Sequence, residues 1–314
     1  MNKNKSGHGL ATGKIILMGE HSVVYGEPAI AFPFQETTIK TLVEPDHSML
    51  IDCTYFSGKL TEVPAQLKSV REVIDQTLAV LHQEKAQLKI TITSTIPAER
   101  GMGSSAAVAV ALVRGLFDYF DAEYSPETLL QLVDHAEKIA HGNPSGIDAA
   151  ATSGEEPIFF IKGQPLEKFP MNVSNAYLIV ADTGIKGQTR SAVSDVAHLF
   201  EQNKQQAAKH ITTLGHLATA AKQAILTDDI QLLGESMNAA HEQLKALTVS
   251  NTQLDQLVDT AKKNGALGAK LTGGGRGGCM ISLAASHEQA LKIADALKQT
   301  GAVTTWIQSL EVKK

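Results

Sequence analysis

The side chains that could do chemistry in this 314-residue chain sit in a few short stretches. EKIAHGNPSGID (137–148) carries Glu137 and Asp148 on either side of a helix-breaking loop. Two carboxylates brought to one point from different directions suit a divalent cation on phosphate, which needs oxygen ligands. They also suit a phosphoryl-accepting hydroxyl, which needs a base nearby. Spacing alone favours a plainer reading, a solvated helical Glu and an Asp capping the next helix, IDAAAT. GKIILMGEHSVVYGEPA (13–29) places Lys14 at the start of an expected strand and Glu20 and His21 at its end. That arrangement could hold charged groups over a pocket. In isolation the three are ordinary strand-end polar residues, and His21 is a structural histidine. The remaining histidines, among them His82, His198 and His216, read as helix-surface residues.

Two glycine clusters accompany them. GMGSSAAVAV (101–110) puts two glycines and two serines before an Ala/Val run. Serine is a favoured helix cap, and an ordinary capped entry has at least even standing here. A helix N-terminus also offers unpaired N–H groups and a partial positive charge, so a phosphate is the natural partner. The string G-x-x-x-x-G-K-[ST] is absent. Gly101, Gly103 and Ala106 fit G-x-G-x-x-A, but Asp121 closes the same helix rather than ending a second parallel strand, so the dinucleotide fold is a weak match. In KLTGGGRGGC (270–279), five of the six residues from 273 to 278 are glycine. A hairpin needs two at most, so the run points to close approach of backbone to a ligand or a neighbouring element.

Elements must hold these groups in place. Strands are expected at 13–19, 37–44 and 88–95, where Ile90 and Ile92 alternate with Lys89, Thr91 and Thr93, and helices at 65–84, 104–120 and 126–140. Pro126 after Ser125 fits a capped start. The second half is more helical (190–204, 205–226, 229–246, 251–264) and ends in strands at 268–273, 278–284 and 304–310, with a helix at 286–299. The pattern is α+β, in two domains, 1–170 and 171–314. A hydrophobic content of 43% supports a full core. A net charge of −5 argues against nucleic acid, and no window approaches a membrane span. With no apolar run behind the N-terminal lysines and only Cys53 and Cys279, the expected setting is the cytoplasm, without a disulfide framework or a cysteine zinc site.

Taken in order, GKIILMGEHSVVYG, PAERGMGSSAA, HGNPSGID and KLTGGGRGGC resemble the GHMP kinase superfamily of small-molecule kinases over residues 8 to 310. Met102 stands where the superfamily usually has Leu. TGGGRGG replaces its usual T-G-A-G-G-G-G, so Gly274 stands for Ala and Arg276 for Gly. GEHSVVYG, HGNPSGID and ADTGIKGQTRSAV (181–193) are similar to the versions in the branch that acts on mevalonate.

The resemblance implies an N-terminal domain of the ribosomal-protein-S5 type, a ferredoxin-like C-terminal domain and an active site in the cleft between them. It implies ATP and Mg²⁺, and phosphorylation of the C5 hydroxyl of (R)-mevalonate on the route to isoprenoids. A homodimer is one assembly it allows. By matched position, Pro97, Gly101, Met102, Gly103, Ser104, Ser105 and Ala106 bind the nucleotide, and Ser105 and Glu137 hold Mg²⁺. Asp148 serves as base or orients the alcohol, and Lys14 pairs with it. Glu20, His21, Thr189 and Gly274 line the substrate side, with Arg190 a lesser candidate for its carboxylate. Arg276 either touches phosphate or points outward. The competing expectations are a sister kinase with another alcohol, a non-catalytic sensor on the same scaffold and a dinucleotide-dependent oxidoreductase.

Overall fold

The computed structural model describes residues 5–142 and 144–311, so Asn143 of HGNPSGID lies outside the described residues. By contact the chain divides into two compact units. One takes residues up to 14, 33–97 and 103–154, and the other takes 15–32, 98–102 and 155–314. The chain passes from one to the other more than once.

The first unit is built on β1 (Gly7–Met18), β2 (Ala29–Pro45), β3 (Leu50–Cys53), β4 (Phe56–Lys59) and β5 (Leu88–Ser94), with α1 (Lys68–Val80), α2 (Ser104–Tyr119), α3 (Pro126–His141) and α4 (Ile147–Ser153). β1 and β2 run on into the second unit. The later part of β2 pairs antiparallel with β5 from Ile39↔Ser94 to Pro45↔Leu88, β5 pairs parallel with β3, and β3 and β4 form a hairpin. Leu88, Ile90 and Ile92 face inward in β5, as their alternation predicts. α2 is apolar nearly all round and buried from Ala109 to Val113. A Cβ on Gly9 would stand 1.9 Å from the Ala111 carbonyl, so glycine is what lets β1 lie against this helix. Ser125 caps α3 by accepting from the Thr128 amide at 3.2 Å, with Pro126 at the first helical position.

β1 begins at Gly7, earlier than expected, so Lys14 lies inside the strand and not at its start. The hairpin β3–β4 was not expected. Its Gly, Asp, Thr and Ser residues break the apolar pattern on which strand recognition rests.

The second unit contains β6 (Ile158–Phe160), β7 (Glu167–Lys168), β8 (Asn172–Asp182), α5 (Thr189–Gln202), α6 (Lys204–Leu226), α7 (Ile230–Ala246), α8 (Thr252–Lys263), β9 (Gly268–Thr272), β10 (Cys279–Ala284), α9 (His287–Gln299) and β11 (Thr304–Glu311). The sheet order is β11-β8-β10-β9, with all pairs antiparallel. That order, with helices after β8 and between β10 and β11, is the split β-α-β-β-α-β arrangement of ferredoxin-like domains. β8 was also missed, although AYLIVA is apolar enough for a central strand. Asn203, Asp229, Asn251 and Ser286 each cap the helix that follows them. His241 on α7 is buried, which corrects its reading as a helix-surface residue. Its ring lies 3.3 Å from Asp255, and burial pulls its pKa down to about 4. Among the described residues no helix is long and apolar enough to cross a membrane.

Candidate active site

In the first unit four polar side chains converge below the entrance of α2. Lys14 is 4% exposed and its ammonium lies 3.0 Å from the Asp148 carboxylate, which is 35% exposed. A buried ammonium needs an anion, and Asp148, in the first turn of α4, supplies it. Gly103, with φ of 71°, is the N-cap of α2, so glycine and not serine caps this helix. The reason is steric: a Cβ at Gly103 would stand 2.7 Å from Lys14 Cγ and 3.1 Å from Thr152 Cγ2. Ser104, Ser105 and Ala106 then form the first turn, and their N–H groups have no partner within the helix.

Glu137 projects from the last turns of α3 and is buried. Its pKa is raised, first by desolvation. The Ser105 hydroxyl, His141 and Lys14 pull it back, and Asp148 pushes it further up. Its Oε1 is buried without a hydrogen-bond partner. An orphaned carboxylate oxygen beside a serine hydroxyl at a helix N-terminus is a pair of ligands that could hold a divalent cation on a polyphosphate. Among the described residues no group of three or more Asp, Glu, His or Cys could hold a metal unaided.

In the second unit the substrate-side candidates gather around the second glycine run. His21 adopts φ of 61° at the head of a short 3₁₀ turn, Ser22–Tyr25. Its Nε2–H donates to the Gly274 carbonyl at 3.0 Å, so Nδ1 carries the lone pair, and Nδ1 is buried without a partner. Burial holds the His21 pKa down to about 4, against the Gly274 hydrogen bond and with a smaller push from Arg276. The ring is therefore neutral at physiological pH and offers an acceptor. A Cβ on Gly274 would stand 2.0 Å from Thr189 Oγ1, so only glycine fits where α5 begins. Thr189 and Arg190 are exposed in the first turn of that helix. Gly273 packs close to Gly101, Gly275 against the Val249 carbonyl and Gly277 against the Lys186 carbonyl. Arg276 pairs with Asp195 and donates to the Thr248 carbonyl at 3.2 Å. The Glu20 side chain is fully buried and pairs with Lys270, itself 0% exposed.

A model of the GHMP kinases N terminal domain matches residues 68–155, and one of the GHMP kinases C terminal region matches residues 221–303. The mevalonate kinase of Thermococcus sibiricus is 35% identical over 93% of this chain and 92% of its own. The chain belongs to the GHMP kinases. Among solved structures, a mevalonate kinase from methicillin-resistant Staphylococcus aureus is 35% identical, with a TM-score of 0.77 over 98% of this chain and 99% of that one. The L. major mevalonate kinase, crystallised in complex with R-mevalonate, is 29% identical, with a TM-score of 0.83 over 96% and 94%.

Two residues of this GHMP kinase with distant charged partners escaped sequence reading. Lys270 could have been found, because a lysine between Ala269 and Leu271 in a wholly buried strand must have an anionic partner. Arg100 carries no such signal. Its Nε donates to Asp182 at 2.7 Å and its Nη2 to the Gly184 carbonyl at 3.0 Å, partners more than eighty residues away.

Proposed function

We propose that this chain transfers the γ-phosphoryl group of ATP to the C5 hydroxyl of (R)-mevalonate, giving 5-phosphomevalonate. The observation that carries the reading is the Lys14–Asp148 pair at 3.0 Å, packed under Gly103 and within electrostatic reach of Glu137. Support for the choice of alcohol comes from the 35% identity to mevalonate kinases.

The amides of Gly101, Gly103, Ser104 and Ser105 and the dipole of α2 receive the triphosphate. Pro97, Met102 and Ala106 shape the loop around it. Ser105 and Glu137 would hold Mg²⁺, whose preference for a few protein oxygens plus phosphate and water fits these two ligands. When bound, the ion offsets charge on the phosphoryl oxygens. Asp148 accepts the proton of the attacking hydroxyl, or orients it, and Lys14 pairs with Asp148 and offsets charge on the transferring group. Glu20, His21, Thr189 and Gly274 serve the alcohol side, with neutral His21 Nδ1 as an acceptor and Arg190 near the substrate carboxylate. The proposed setting is cytoplasmic, and the proposed domains are 1–170 for the nucleotide and 171–314 for the C-terminal half.

The test is a panel of alcohols with MgATP, with ADP release followed and products identified by mass. The reading expects (R)-mevalonate to gain one phosphate at C5 with a kcat/KM at least a hundredfold above phosphomevalonate, homoserine or galactose. Preference for any of those three overturns it.

A further inference from the structure

α5 carries Thr189 and Arg190 in its first turn, yet among its described residues only Ala192 and Val196 are fully buried. At its far end the Phe200 ring stacks on Tyr25 with centroids 4.9 Å apart. Towards its near end polar contacts also hold it. Arg276 Nη1 pairs with Asp195 and donates to Ser191 Oγ at 3.4 Å, so both ligands lie in the first two turns of the helix. The Nε and Nη2 of the same guanidinium donate to the Thr248 carbonyl, each at 3.2 Å, and its backbone N–H donates to the Val249 carbonyl at 2.9 Å. Arg276 thus ties α5, the α7–α8 connection and the second glycine run together. A planar fork with several fixed donors can do this, and a lysine cannot.

The placement has a backbone cost. Arg276 sits at φ of 57°, where a side chain is disfavoured and glycine is at home. Beyond Thr189, Gly187 donates to the Glu99 carbonyl at 2.9 Å, and Arg100 fixes Asp182 and the Gly184 carbonyl. The segment from Asp182 to Asp195 is therefore held at both ends by an arginine from each glycine loop, with Thr189 against Gly274 in the middle.

We propose that Arg276 is a positioning residue that clamps the first turns of α5 and thereby fixes Thr189 and Arg190 for the alcohol substrate. The proposal rests on the function given above for its substrate, but not for its geometry. It concerns Arg276 acting through α5, with no contact of its own to either substrate.

The test uses the full chain with Arg276→Gly, Asp195→Asn and the double variant. Glycine suits the positive φ, and asparagine is isosteric with aspartate, so all three should fold. Amide hydrogen exchange over residues 189–196 should quicken at least fivefold in each single variant, and the double should be no worse than Arg276→Gly alone, because that variant has already lost the Asp195 contact. The KM for (R)-mevalonate should rise about fivefold or more, while the KM for ATP stays within about twofold and the melting temperature of Arg276→Gly does not fall. Unchanged exchange at 189–196, additive effects in the double variant, or KM values for ATP and alcohol that rise together would each overturn the clamp. If the wild-type chain does not phosphorylate mevalonate, the proposed function fails, and exchange at 189–196 still decides on the clamp.

Discussion

Lys14 and Asp148 depend on each other. An ammonium that is 4% exposed needs an anionic partner, and Asp148 at 3.0 Å supplies it. Burial raises the pKa of Glu137, and a cation at its orphaned oxygen would favour the anion. Glu137→Gln and Ser105→Ala should each raise the Mg²⁺ concentration for half-maximal rate by about tenfold or more, with little change in melting temperature. Magnesium titrations at fixed ATP check this, and wild-type curves for both would remove the metal assignment.

Most of this group was legible because its residues fall in ordered motifs. Arg100 was not, because its meaning lies in Asp182, 82 residues away. The fate of Arg276 was also hidden. Its pair with Asp195 lay in neither expectation, phosphate contact or an outward side chain.

At the scale of elements, the turn into α2 decides whether the phosphate loop and Lys14 coexist. The sequence suggested a serine cap, but a glycine in the left-handed region stands there because Lys14 Cγ occupies the space of a Cβ. Gly103→Ala should therefore cost about 1–2 kcal/mol from backbone strain alone. It should also displace Lys14, lowering kcat at least tenfold. Chemical denaturation and steady-state rates on the same preparation check both parts, and a variant with wild-type stability and kcat contradicts the packing argument. Caps were the readable features of the elements, as Ser125 with Pro126 shows. The hairpin β3–β4 was not readable, because its polar residues break the apolar pattern, whereas β8 was missed despite the apolar run AYLIVA.

Across the whole molecule, the α+β class was legible from the order of helical and strand-like segments, but the division into units was not. The chain returns to the second unit for residues 98–102, immediately before Gly103 in the first, and no change in composition marks that passage. Stability should show the buried histidines. His21 and His241 each have a folded pKa of about 4, against about 6.5 for an ordinary histidine, so the unfolded chain binds more protons below pH 6.5. Stability is lost as pH falls from 6.5 towards 4, by about 2 kcal/mol per histidine between pH 7 and 5. Denaturant titrations at the two pH values should show this slope, and His241→Gln should remove about half of it. An unchanged slope in that variant would contradict the burial argument.

The central claim concerns what Lys14 and Asp148 do beneath the Gly-Ser turn, and the most direct measurement compares wild type with Asp148→Asn at saturating MgATP and (R)-mevalonate. The account predicts 5-phosphomevalonate from wild type, a kcat lower by about a hundredfold or more in the variant, and nucleotide affinity within about threefold. An Asp148→Asn enzyme that turns over (R)-mevalonate at the wild-type rate would contradict it.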